Sequence, residues 1–206
     1  MQKIMLNEPF GLQQATFDRT KTMTRRIIPK KTLNKWYEFE EHYRIAAPTD
    51  MPFYFEPMED FLIRHAPYKV GEIVAIAQRY SQIISAITPR FAPHAKDWMR
   101  SEKGWNNKMF VKAEYMPHHI KIIKRRLEHL QDISDEDCLR EGIVCKHIGD
   151  EDCYTVENFL LWDKYLRQTA FSTPYKAFEV LIRNMQGNIA WESNPLVYVY
   201  EYKLID

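Results

Sequence analysis

The densest chemistry in this 206-residue chain lies in KTMTRR, residues 21–26, where a lysine, two hydroxyls and two arginines fall within six positions. Lys21 and Thr24 are three residues apart, close enough for an ammonium and a hydroxyl to converge in a turn or tight loop. A lysine whose pKa is lowered by desolvation, or by cations such as Arg25 and Arg26, can serve as a base toward a threonine hydroxyl. The two guanidinium forks would equally suit a phosphate. A solvated basic loop explains the same residues without any chemistry.

Glu141 is the second unusual position. SDEDCLREG predicts a two-turn helix, with Ser134 as N-cap, acids in its first turn and Gly142 as its stop. Glu141 falls in the last turn, where the helix dipole disfavours a carboxylate by about 0.3–1 kcal/mol. A local rule broken without evident gain marks a candidate site; an exposed carboxylate paired with Arg140 or Lys146 is the plain alternative. Cys138, Cys145, His147 and Cys153 lie within sixteen residues but lack the tight pairs of structural zinc sites, so neither a metal nor a cofactor is expected. His118 and His119 could touch a phosphate or base, or be structural. Trp36, Trp98, Trp105 and Trp191 could stack on bases, whereas Trp162, in a helical pattern, reads as core.

Composition narrows the partners. Twenty-nine Lys and Arg against 28 Asp and Glu leave a net charge of +1, so nucleic acid could be held only by a local patch. Hydrophobic content of 45% and only 6 glycines exclude a low-complexity chain. There is no apolar run near the roughly 18 residues of a membrane span and no apolar core of a secretion signal. Three cysteines without a CxxC pair fit reduced thiols, and a cytoplasmic setting is expected.

Residues 7–18 fit a short helix, YKVGEIVAIA (68–77) a turn and buried strand, KMFVKAEY (108–115) a strand, and IKIIKRRLEHL (120–130) a long strand with a positive outer side. Two helices follow, one carrying Val156, Phe159, Leu160, Trp162 and Leu166, the other capped by Thr173, begun by Pro174 and stopped by Gly187. LVYVYEYKL (196–204) closes the chain as a strand with Tyr198, Tyr200, Tyr202 and Leu204 on one face. Residues 32–67 and 81–107 show no sustained period and read as two irregular insertions that line or cover something. The pattern is α+β, built on a small mixed barrel.

TKTMTRRIIP, YKVGE, MFVKAEYMPHHIKIIKRRLEHLQDISDEDCLREGI and WESNPLVYVYEYKLI together resemble the ASCH domain proteins of bacteria and phages, within the PUA-like superfamily. The resemblance spans both ends of the chain. It implies a single PUA-like domain over residues 1–206, a small β-barrel with flanking helices and the two insertions, and a cleft beside the barrel for RNA or a nucleotide. One branch, the N4-acetylcytidine amidohydrolases, uses a lysine and threonine from a GRKTxT-type motif and a later glutamate. By motif these fall on Lys21, Thr24 and Glu141. Two departures stand out: Asp18-Arg19-Thr20 replaces the motif's glycine-led approach, and Gln78-Arg79-Tyr80 replaces an arginine-glutamate pair.

The expected function is binding of RNA or a modified nucleoside in a basic cleft formed by Lys21, Thr24, Arg25, Arg26 and, from the long strand, Lys121, Lys124 and Arg126. The alternative is an amidohydrolase of N4-acetylcytidine using Lys21, Thr24 and Glu141, with Arg25 or Arg26 holding substrate or an oxyanion. A further alternative is a protein-interaction module acting through the aromatic insertions.

Overall fold

A computed structural model describes residues 1–46, 56–87, 95–148, 150–156 and 170–205. In chain order its strands are β1 (Gln2–Ile4), β2 (Met23–Ile27), β3 (Ile73–Ile76), β4 (His119–His129), β5 (Ile143–Ile148), β6 (Glu151–Val156) and β7 (Leu196–Leu204). Its helices are α1 (Leu12–Phe17), α2 (Lys30–Ala46), α3 (Met58–Arg64), α4 (Tyr80–Ile87), α5 (Ala95–Ser101), α6 (Asp135–Arg140), α7 (Pro174–Gln186) and α8 (Asn188–Glu192). The expected helix around Trp162 lies outside the described residues. Among those residues no helix is long and apolar enough to cross a membrane.

The fold is α+β. Five strands form one mixed sheet in the order β1-β3-β4-β7-β2, parallel only between β1 and β3, and β5 and β6 form a separate antiparallel pair. No ladder joins β1 to β2 among the described residues, so this sheet is open where a closed barrel was expected. β4 and β7 are the long central pair, bent by an irregularity in register between Ile122 and Lys124.

Both sheet faces are covered, and β7 shows why. Its tyrosines Tyr198, Tyr200 and Tyr202 face a core shared with Trp36, Phe61 and Leu62, while Val197 and Val199 face Phe178, Leu181 and Trp191. Period-two alternation therefore separates tyrosines from valines, and neither set meets solvent. A third core joins Ala75 and Ala77 to Tyr80, Ile83 and Met99.

The two insertions are more regular than their composition suggests. Residues 30–46 are a 17-residue helix whose Leu33, Trp36 and Phe39, spaced three apart, dock on the tyrosine face. Residues 80–87 and 95–101 are helical too. KMFVKAEY is not a strand: Lys108–Phe110 and Ala113–Tyr115 are 3-10 turns, the first capped by the Asn107 side chain accepting from the Met109 N–H. The alternation of apolar residues is real there, but no sheet edge receives it. Trp36 and Trp191, 4% and 5% exposed, are core residues and unavailable to stack on a base.

Candidate functional site

The site begins at the edge of the sheet. Among the described residues β2 is the terminal strand and pairs with β7 alone, so consecutive residues Thr24, Arg25, Arg26 and Ile27 can all border one cleft along its other edge. Residues 5–9 and Leu12 form a second wall, and Phe178, Leu181, Ile182 and Met185 of α7 an apolar third. The cleft's volume is about 470 Å³, the scale of a small-molecule site.

Lys21 and Glu141 lie at this cleft, brought together from 120 residues apart. Ser134 caps α6 by accepting from the Asp137 N–H, and Glu141 ends the helix at its C-cap. Gly142 follows with φ +104°, a conformation that glycine tolerates and other residues resist. A Cβ there would come within 3.1 Å of Leu12 and 3.5 Å of the Lys21 side chain, so the glycine also admits the lysine. The other partner is fixed by backbone: the Lys21 N–H donates to Ala15 O and the Thr22 N–H to Arg140 O.

Lys21 is 1% exposed. Its Nζ donates to Glu141 Oε2 and Glu141 O, both at 2.6 Å, and to Met23 O at 2.7 Å, which uses every proton of an ammonium. Burial drives the Lys21 pKa down, the Glu141 charge pulls it back up, and the net position is below that of an ordinary lysine, with Arg26 and Arg25 adding to the depression. Thr24 is 5% exposed and borders the cleft, and its hydroxyl makes no hydrogen bond among the described residues.

Arg25 is committed elsewhere. It donates from Nη2 to Glu128 at 2.8 Å and Asp137 at 3.0 Å, and from Nη1 to Glu141 at 3.2 Å. Burial lowers its pKa, but the three carboxylates outweigh this and hold the guanidinium above its usual value. Arg26 borders the cleft and donates to Met5 O.

The β4 residues correct the expected basic cleft. Arg126 is tied to Glu128, to Asp137 at 2.5 Å and to Glu201 at 2.6 Å, away from the cleft walls. Lys121 and Lys124 are exposed on the sheet and do not line the cleft either; Lys124 comes only to 4.0 Å from Glu201. The strand alternates as expected, but its arginines serve the fold's ion-pair network. In their place the cleft takes Lys108 and Glu8, joined at 2.9 Å, which nothing in the local sequence brings together. The network acids were more accessible to sequence reasoning: Glu201 is a lone carboxylate in the apolar strand VYVYEYKL.

Among the described residues no group of three or more His, Cys, Asp or Glu side chains is placed to hold a metal. Cys138 is buried, and burial pushes its thiol up to about 12. Cys145 and Cys153 sit on the β5–β6 hairpin, one opposite Tyr154 and the other opposite Lys146. His118 packs against the Phe17 ring at 4.5 Å.

Comparison with models of known families, with curated proteins and with solved structures found no match to this chain. The chemistry therefore rests on geometry: a small cleft with one apolar wall, a buried lysine-carboxylate pair and an unengaged threonine.

Proposed function

We propose that this chain binds a modified nucleoside in the cleft along β2, as a cytoplasmic ASCH-type protein whose sheet and β5–β6 hairpin are parts of a PUA-like barrel. The observation that carries this reading is the convergence of Lys21, Thr24 and Glu141 on one cleft of about 470 Å³. Charge compensation selects the ligand. Lys21, Arg25 and Lys108 each have a carboxylate partner, and of the lining cations Arg26 alone has none among the described residues, so the cleft suits a base and sugar better than a run of phosphates. The apolar α7 wall supplies a surface for a base or an acyl group.

The Lys21–Glu141 contact favours a second reading, hydrolysis of an N4-acylated cytidine. Lys21, its proton passed to Glu141, takes the Thr24 hydroxyl proton. Thr24 Oγ1 attacks the acyl carbonyl carbon, the C–N bond breaks, and the exocyclic nitrogen of cytidine leaves as the amine, taking the proton that Lys21 had drawn from Thr24. Water then cleaves the acyl-threonine ester, giving the carboxylic acid and the free hydroxyl.

Both are tested by equilibrium binding and turnover of N4-acetylcytidine. Saturable binding that weakens in Glu141→Ala is expected, and its absence in folded wild-type protein overturns the proposal. If the second reading holds, Thr24→Ala lowers turnover by about 10²–10⁴-fold with binding retained; unchanged turnover excludes the threonine nucleophile.

A further inference from the structure

Beside the cleft lies a surface that neither the lysine-glutamate pair nor the β2 edge explains. Residues 98–112 carry Arg100, Lys103, Lys108 and Lys112 against one acid, Glu102, a local net charge of +3 in a chain of net +1. Among the described residues only Lys108 meets a carboxylate, Glu8. The other three rest over aromatic rings. Lys103 Nζ is 5.7 Å from the Phe110 centroid, Lys112 Nζ is 5.6 Å from that of Trp98 and 5.8 Å from that of Tyr115, and the Arg100 guanidinium is 5.8 Å from that of Trp105. Several of the apolar side chains stay open to solvent: Met109 is 61% exposed, Phe110 54% and Trp98 38%.

This surface is continuous with the cleft. A neighbouring cavity of about 480 Å³, bordered by Arg79, Asn106, Asn107 and Lys108, shares Glu8, Pro9 and Lys108 with it. A chain leaving the cleft past Lys108 therefore meets two amide side chains and an arginine, and Asn106, Asn107 and Lys108 belong to the same short segment that carries Trp105 and Phe110.

We infer that residues 98–112 form a platform for a single-stranded polynucleotide, which presents one nucleoside to the cleft and lays its neighbours on this surface. Single strands are held by aromatic faces that stack bases together with cations that follow the phosphates. Here both occur in one short segment, and three of the cations lack counter-charges among the described residues. The positive charge argues against an apolar protein partner, and the exposed rings argue against a surface kept merely for solvation. The inference rests on the cleft holding a nucleoside and extends its ligand from a free nucleoside to one within a strand.

The test is binding of a labelled oligocytidylate across a salt titration, with N4-acetylcytidine binding measured on the same proteins. Phe110→Ala is expected to weaken the oligonucleotide about tenfold, within the range for loss of one stacked base. Lys103→Gln with Lys112→Gln is expected to flatten the slope of log affinity against log salt by about 1.4. Nucleoside binding stays unchanged in both. The exposed lysines Lys121 and Lys203, opposite each other on β4 and β7, serve as the control pair. An oligonucleotide bound no tighter than the nucleoside, or one weakened by the control pair and not by the platform variants, overturns the platform and leaves the cleft reading standing. Oligonucleotide binding that depends on the platform in a protein without nucleoside binding supports the platform and removes the cleft reading.

Discussion

Lys21 is a lysine buried to 1% exposure with a carboxylate partner. A buried ammonium is tolerated because all three protons are taken, and removing one member of such a pair strands the other. Lys21→Met is expected to destabilise the protein by about 3 kcal/mol near neutral pH, at the lower end for broken buried pairs because Arg25 still faces Glu141. The pH dependence has a definite sign. The folded-state pKa of Lys21 lies below its unfolded value near 10.5, so between the two the unfolded chain binds more protons and wild-type stability rises with pH. Lys21→Met lacks this contribution, and urea denaturation at a series of alkaline pH values should show the gap between the two proteins widening across that window. A constant or shrinking gap would contradict the lowered pKa. At this scale the lysine, threonine and glutamate were legible because each broke or concentrated a local rule. The partners of Arg25 were not, since Glu128 and Asp137 are more than 100 positions away.

Among the elements, α6 and the glycine after it deliver Glu141, β2 delivers Thr24, and the turn before β2, tied to Ala15 O and Arg140 O, delivers Lys21. Gly142→Ala tests the first delivery, because it combines a strained φ with a side chain 3.1 Å from Leu12 and 3.5 Å from Lys21. A loss of about 1–3 kcal/mol in stability is expected, together with weaker N4-acetylcytidine binding than Gly71→Ala, a control with positive φ and open space around it. Equal binding in the two variants would show that Gly142 serves the turn alone. Capping and periodicity made α6, α7, β4 and β7 readable, down to Ser134, Thr173 and Gly187 at their ends. α2 had a signal too, in the three-residue spacing of Leu33, Trp36 and Phe39, obscured by the prolines and acids that follow. β2 was hidden because its five residues, MTRRI, have no apolar alternation; it is a strand because β7 offers it an edge.

At the level of the whole molecule, the sheet order β1-β3-β4-β7-β2 decides what can meet. The first insertion is fastened to this frame by its rings and by the Tyr198 hydroxyl, which donates to Leu62 O at 3.0 Å across 136 residues. Tyr198→Phe removes that bond while keeping the ring, and a loss of about 1 kcal/mol is expected, read as a lower urea midpoint at unchanged m-value. No change would mean that packing alone holds α3 to the sheet. From the sequence by itself came the α+β class, the boundaries of the capped helices and long strands, and the candidate trio Lys21, Thr24 and Glu141, which border one cleft. These depend on propensity, periodicity and capping, which act over a few residues and leave their mark locally. Tertiary structure alone decided that the sheet is open, that β2 is its edge, that Arg25 and Arg126 are consumed by carboxylates, and that Lys108 and Glu8 border the cleft. Those outcomes turn on which strand pairs with which and on charges meeting across many residues, and short-range patterns carry no record of either.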